Sequence, residues 1–224
     1  MAVALIVAAG RGERLGSDGP KALVTLGGVP MLEWSLRSLR AVKAVEAIVI
    51  ALPPQTVASS PLLHLFTAVS GGATRSHSVR AALAAAPAGD PVIVHDAARP
   101  LATPELFERA LAELAWSGAD AVVAATPVPD TIKEVGDDGR TVARTLARTD
   151  LWAVQTPQVF RREILERELS AASDALLARA TDDAWLIERA GGVVRVLAAD
   201  PANIKVTSPA DLRVAELLLS ERRR

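Results

Sequence analysis

Three clusters of polar residues each follow a short apolar run, and each has the chemistry to hold an anion. The first is Ala8-Ala9-Gly10-Arg11-Gly12-Glu13-Arg14-Leu15, with Pro20-Lys21 close behind. Small residues and glycines after a strand let backbone N–H groups approach phosphate oxygens, and Arg14 and Lys21 add positive charge. The second is Gly71-Gly72-Ala73-Thr74-Arg75-Ser76-His77-Ser78. Here the free N–H groups of a helix start, the hydroxyls and Arg75 offer a further polar contact. The third is His95-Asp96-Ala97-Ala98-Arg99-Pro100, in which Asp96 stands where a hard cation bridging phosphate oxygens wants a carboxylate. Each cluster has a plainer alternative: an ordinary glycine turn, a helix capped by Thr74, and a strand-end Asp capping the next helix. His64 and His77 are read as surface or capping residues, and His95 as a packed or hydrogen-bonded side chain.

Two familiar phosphate loops do not fit the first cluster. Gly10 and Gly12 supply two glycines of G-x-G-x-x-G, but Leu15 takes the third place and the run that should end in a ribose-binding acid ends Ala51-Leu52-Pro53. No Gly-Lys-Ser/Thr exists for a Walker A loop.

The elements that must position these clusters alternate in type. Short β-branched runs at 3–8, 47–52, 91–94 and 121–125 are bounded by Gly, Pro or Asp, as strands covered on both faces are. Between them, 31–42, 76–86, 104–116, 161–169 and 182–190 space apolar residues at three and four, and Thr103-Pro104 is a helix-start pair. The alternation predicts an α/β fold with a mostly parallel sheet, whose ligands bind at the carboxyl ends of the strands, where the three clusters stand. Strand is expected again at 193–197 and 204–206, and a helix at 209–219. One stretch breaks the pattern: 127–150 holds Pro127, Pro129 and an Asp138-Gly139 turn between β-like runs, which predicts a hairpin arm projecting from the domain.

Bulk properties narrow the partner. The chain has 224 residues, half of them hydrophobic, with 25 basic against 26 acidic side chains, a size that suits one α/β domain over 1–224. A net charge of -1 gives no electrostatic footprint for nucleic acid or a membrane surface, so a small molecule is favoured. The opening apolar run has no Lys or Arg before it and reads as a buried strand, and no stretch approaches the roughly 18 apolar residues of a membrane span. Without cysteine there is no disulfide, zinc–thiolate site or cysteine nucleophile, which suits a reducing, cytoplasmic setting. Lysine is scarce beside arginine, and its retention at Lys21 and Lys205 marks those positions.

Taken in order, the clusters resemble the 2-C-methyl-D-erythritol 4-phosphate cytidylyltransferase family from Ala8 through Leu212. The resemblance is carried by Ala8-Ala9-Gly10-x-Gly12-x-Arg14, Pro20-Lys21, Gly71-Gly72-x-x-Arg75-x-x-Ser78 and His95 to Pro100. Further along it is carried by Asp130-Thr131-Ile132-Lys133, Gln155-Thr156-Pro157-Gln158, Thr181-Asp182-Asp183 and Asn203-Ile204-Lys205-Val206-Thr207. It implies a Rossmann-like nucleotidyltransferase domain that binds CTP through Ala8, Ala9, Gly10, Gly12, Gly72, Arg75 and Ser78. It implies charge stabilisation at the α-phosphate by Arg14 and Lys21, and Mg2+ on Asp96. The polyol phosphate would be held by Asp96, Arg99, Thr131, Arg148, Thr156 and Lys205, with Arg148 and Lys205 positioning its phosphate. The 127–150 arm would join a homodimer and place Arg148 in the neighbouring subunit's site. Thr149-Asp150 departs from the smaller or less polar residues frequent in the family at that point. The nucleophile would be a phosphate monoester, largely dianionic at neutral pH, so no general base is required. Two rivals are a cytidylyltransferase for another polyol phosphate, such as ribitol 5-phosphate, and a nucleotide-binding module without turnover.

Overall fold

The computed structural model describes residues 1–16, 19–57 and 66–222. His64 lies outside them. In chain order the elements are β1 (Ala2–Val7), the short pair β2 (Thr25–Leu26) and β3 (Val29–Pro30), α1 (Met31–Ala41), β4 (Val45–Leu52), α2 (Pro54–Val57), β5 (Thr67–Ser70) and α3 (Arg75–Ala84). There follow β6 (Val92–Asp96), α4 (Pro104–Ser117), β7 (Ala121–Pro127), β8 (Lys133–Val135), β9 (Val142–Thr145) and β10 (Trp152–Phe160). The chain ends with α5 (Arg162–Ala171), α6 (Asp174–Arg179), α7 (Ala184–Arg189), β11 (Val194–Ala198) and α8 (Pro209–Arg222).

Seven strands form one sheet in the order β11-β7-β10-β6-β1-β4-β5. All neighbouring pairs are parallel except those made by β10, which runs antiparallel to β6 and β7. The central strands are apolar on both faces because both are covered. Ala4 and Ile6 of β1 meet Leu32 and Leu36 of α1 and Phe107 of α4 on one side. Val3 and Leu5 meet Val79 of α3, Leu165 of α5 and Leu177 of α6 on the other. Local signals set the helix ends: Thr103 caps α4 through Leu106 N–H, Pro104 opens it, and Gly118 closes it at φ +71°.

The structure corrects the expected strand at 204–206. That segment crosses the carboxyl end of the sheet without pairing, since Val206 N–H goes to Ala98 O at 2.8 Å and the Asn203 carbonyl takes Arg99 Nη1 at 2.8 Å. The alternation leaves 152–160 outside its strands, and the structure places β10 there although Pro157 cannot donate to a ladder. Its pairing with β7 stops after Val154 and resumes at Gln158, so Gln155, Thr156 and Pro157 bulge out beside Asp96. Helix α6, which lies outside the expected helices, is short, capped by Ser173, and anchored by the buried Leu177.

A third apolar cluster stands apart from the two faces. Leu15, Leu26, Met31, Leu101 and Val206 pack with Ala215 and Leu219 of α8. Leu15, Leu101 and Val206 adjoin the loops bearing Arg14, Arg99 and Lys205, so α8 is the platform those loops share. Leu219→Ala should therefore lower unfolding free energy by about 2–3 kcal/mol. Urea unfolding should show an earlier midpoint at an unchanged slope. An unchanged midpoint would show that the platform contributes no stability.

Candidate active site

The three clusters meet at the carboxyl ends of β1, β5 and β6, around a cleft of about 880 Å³ that holds Gly10, Arg14, Lys21, Gly72, Arg75 and Asp96 in its wall. The first loop is shaped by Gly12. Its φ of +75° is left-handed, and a Cβ there would lie 2.9 Å from Lys21 Cβ, so only glycine fits. Lys21 N–H in turn donates to Gly10 O at 3.2 Å, which brings the lysine back beneath the loop. Gly10 itself faces open space, leaving its backbone accessible.

The second loop packs on the first, since a Cβ on Gly71 would lie 2.3 Å from Ala9 Cβ. Gly72 N–H donates to Ser78 Oγ at 3.1 Å, and Ser78 Oγ donates to Thr74 O at 3.0 Å. Ser78 thus fixes the loop from within. The alternative reading of Thr74 as a side-chain cap fails: its hydroxyl makes no capping bond and lies 2.7 Å from His77 Nδ1. His77, read from sequence as a surface or capping residue, also reaches Asp174 at 3.2 Å.

Asp96 closes β6 at the centre of the site. Arg75 Nε donates to its Oδ1 at 2.9 Å and Lys205 Nζ to its Oδ2 at 2.6 Å. Burial alone would raise this carboxyl, but Arg75 and Lys205 overrule burial and hold it well below the usual carboxylate range. Arg75 spans two carboxylates, its Nη1 donating to the fully buried Asp183. Burial pushes Asp183 above its ordinary range against the pull of Arg75. No role for Asp183 was assigned from sequence; its neighbour Asp182 accepts from Trp185 N–H and Gln158 Nε2.

Lys21 is half-buried, and burial first, then the nearby Lys205, lowers its ammonium to about 8. Five basic residues, Arg11, Arg14, Lys21, Arg75 and Lys205, therefore line a cleft in which Asp96 is already paired and Glu13 is the one other carboxylate. That arrangement is built for a polyanion.

A second cleft of about 310 Å³ opens beyond Asp96 and Lys205, between Arg99, Thr156, Gln158 and Asp182. Two of its expected contacts are largely committed inside the protein. Arg99 is 9% exposed and donates to Asn203 O and Val154 O. Thr156 Oγ1 accepts from Asp96 N–H at 3.0 Å and lies 3.0 Å from His95 Nδ1. Asn203, whose amide donates to Gln155 Oε1 and Thr156 O, ties the bulge to the Lys205 segment. Thr131 and Arg148 line neither cleft. Both lie on the exposed arm, where Arg148 Nη1 donates to Pro129 O at 2.5 Å.

The donor set can be tested against a metal. No group of three His, Cys, Asp or Glu gathers among the described residues, which does not suit zinc or an all-protein calcium cage. It suits Mg2+, which takes one or two carboxylates and completes its shell with phosphate oxygens and water. The Asp96 carboxylate offers about four lone-pair directions, and Arg75 and Lys205 use one on each oxygen.

His95 is fully buried, edge-on to Phe107 at 5.0 Å, and burial lowers its imidazole to about 4. It is neutral in the folded protein, whereas the unfolded chain takes up a proton near 6.5. The contribution of His95 to stability should therefore be constant above pH 6.5 and fall by roughly 3 kcal/mol as pH drops towards 4. Urea unfolding across that window should be steeper in pH for the wild type than for His95→Gln. Equal slopes would remove His95 from the acid sensitivity.

A family model described as 2-C-methyl-D-erythritol 4-phosphate cytidylyltransferase matches residues 2–221. Proteins of that name from Nocardia farcinica and Rhodococcus jostii are 46% and 45% identical to this chain, covering 98% of it and 94% and 95% of their own lengths. The solved enzyme of that name from Thermus thermophilus superposes with a TM-score of 0.81 at 34% identity, over 98% of this chain and all of its own. The structure of 4-diphosphocytidyl-2C-methyl-D-erythritol synthase from Anaerococcus prevotii gives a TM-score of 0.82 at 29% identity, over 98% and 96%. The single Rossmann-like nucleotidyltransferase domain is that of these structures, and the chain belongs to the 2-C-methyl-D-erythritol 4-phosphate cytidylyltransferase family.

Proposed function

We propose that this protein transfers the cytidylyl group of CTP to the phosphate of 2-C-methyl-D-erythritol 4-phosphate and releases pyrophosphate. The observation that carries the reading is the convergence of Arg14, Lys21, Arg75 and Lys205 on one cleft around a neutralised Asp96. The first and second loops, with Ala8, Ala9, Gly10, Gly12, Gly72 and Ser78, hold the nucleotide. Arg14 and Lys21 stabilise charge at the α-phosphate as the bond to pyrophosphate breaks. Lys205, between the two clefts, steers the acceptor phosphate for in-line attack. Arg75 acts mainly by holding Asp96, and Arg99 and Thr156 by shaping the acceptor cleft. His95 is sealed in the core, so the nucleophile arrives already ionised, as a phosphate monoester does near neutral pH. Asp96 holds Mg2+, which when bound neutralises triphosphate oxygens. Among the described residues no helix is long and apolar enough to cross a membrane, and a cytoplasmic setting suits a chain without cysteine.

The test is pyrophosphate release from CTP and Mg2+ with an acceptor panel. 2-C-Methyl-D-erythritol 4-phosphate should be preferred, and turnover with ribitol 5-phosphate alone would overturn the assignment. Because the free Lys21 ammonium is charged only below about 8, kcat/KM for CTP should fall about tenfold by pH 9. Lys21→Arg should carry that limb to higher pH. A limb left in place would mean that another group sets it.

The arm belongs to the same proposal. Its strands β8 and β9 are exposed throughout, with Val135 and Val142 about half open to solvent, and they pack on no core of their own. Residues 127–150 therefore pair with a second copy of the chain, carrying Thr131 and Arg148 into its acceptor cleft. Mixing the inactive variants Lys21→Ala and Arg148→Ala should restore roughly a quarter of wild-type activity, since half the dimers are mixed and each regains one intact site. Mixed dimers seen by native mass spectrometry with only background turnover would exclude the crossed arm.

A further inference from the structure

Thr74, His77 and Asp174 form a hydrogen-bonded chain that begins in the wall of the nucleotide cleft and ends at the surface. Thr74 lines the cleft, with Oγ1 2.7 Å from His77 Nδ1, and His77 Nε2 lies 3.2 Å from Asp174 Oδ1. A carboxylate only accepts, so Asp174 draws the ring proton to Nε2 and leaves Nδ1, at 2.7 Å, as the nearer acceptor for the Thr74 hydroxyl, whose other acceptor, Leu177 O of α6, lies 3.4 Å away. Besides the Ser78 Oγ to Thr74 O bond, the 71–74 loop rests on α3 at three points. Gly72 N–H meets Ser78 Oγ at 3.1 Å, and Gly72 lies so close to His77 that an added Cβ would fall 2.4 Å from His77 Cβ. The third point is Thr74 on the His77 ring. Through His77 the loop is tied further, to α6, whose Leu177 sits in the core and whose first residue is Asp174.

We propose that Thr74, His77 and Asp174 are a positioning relay that holds the 71–74 loop in its nucleotide-binding shape, so that α6 tunes CTP affinity without touching CTP. The proposal rests on the cleft being the CTP site. A loop left unpinned must be ordered on binding, and that ordering subtracts from affinity. Asp174 is exposed and salt-bridged to Arg80 at 2.9 Å, so its removal hardly alters folding stability. Charge and relay predict opposite signs. Deleting a carboxylate near the cleft would by electrostatics alone tighten binding of a triphosphate, whereas losing the relay weakens it.

The experiment compares the full-length wild type with Asp174→Ala, Asp174→Asn and Arg80→Ala. It measures kcat, KM for both substrates, and the calorimetric Kd of CTP with Mg2+. Asp174→Ala should raise KM and Kd for CTP about three- to fivefold, leaving kcat and acceptor KM within about a factor of two. Asp174→Asn keeps an acceptor for His77, and Arg80→Ala leaves the relay intact, so both should stay near wild type. An unchanged or lower CTP Kd in Asp174→Ala overturns the relay, as does Asn behaving like Ala or Arg80→Ala giving the same rise. Wild type that binds CTP without turnover would refute the proposed reaction, while the calorimetric Kd values still decide the relay. Wild type that binds no CTP refutes both.

Discussion

Three segments of this site, from α3, the β10 bulge and the stretch before α8, are tied to one aspartate. Asp96 is buried at the end of the central strand β6, where an ionised group is costly unless it is paired. Arg75 from α3 and Lys205 from the segment before α8 supply the pairing from opposite sides, and Thr156 takes the Asp96 backbone N–H from the β10 bulge. Four distant parts of the chain are therefore fixed relative to one another by the need to keep this charge satisfied. Removing either cation would leave this buried anion with only half its pairing, and Arg75 is itself braced by a second carboxylate, Asp183. The price of the arrangement is that Lys21, part-buried and then crowded by Lys205, holds its proton less tightly than an ordinary lysine.

That electrostatic centre is supported by apolar anchors placed beside it. Leu15, Leu101 and Val206 each lie one or two residues from a basic side chain of the site, and all three are buried in the cluster completed by α8. The backbone positions of Arg14, Arg99 and Lys205 are thus set by packing, and the side chains of Arg99 and Lys205 are held further by their bonds to Asn203 O, Val154 O and Asp96. In the proposed reaction, preorganised charge of this kind would lower the barrier because little has to move as negative charge shifts during phosphoryl-type transfer.

Much of this was legible in the residues themselves. The alternation of β-branched runs and helical spacing announced the parallel sheet, and glycines after β1 and β5 marked the two loops. Asp138-Gly139 announced the hairpin, whose Gly139 has φ +66°. What escaped was set by tertiary contact. Pro157 argued against a strand that the sheet nonetheless accommodates by bulging, and 204–206 has strand-like residues whose partners are loops and side chains. The commitment of Arg99 and Thr156 to internal bonds, the bracing by Asp183 and the His77–Asp174 contact join residues far apart in sequence. No local pattern encodes them.

The antiparallel course of β10 has a consequence for how specificity can change. Since β7 runs up to the catalytic rim and β10 runs down from it, the arm both leaves and returns at that rim. Its base is closed where Val128 N–H meets Leu151 O at 3.2 Å. Residues beyond that clasp can be lengthened, shortened or rewritten without shifting the register of the sheet or the glycine loops. The arm is in effect an exchangeable cartridge, so descendants of this fold can diverge in its length and sequence while the glycine loops stay as they are.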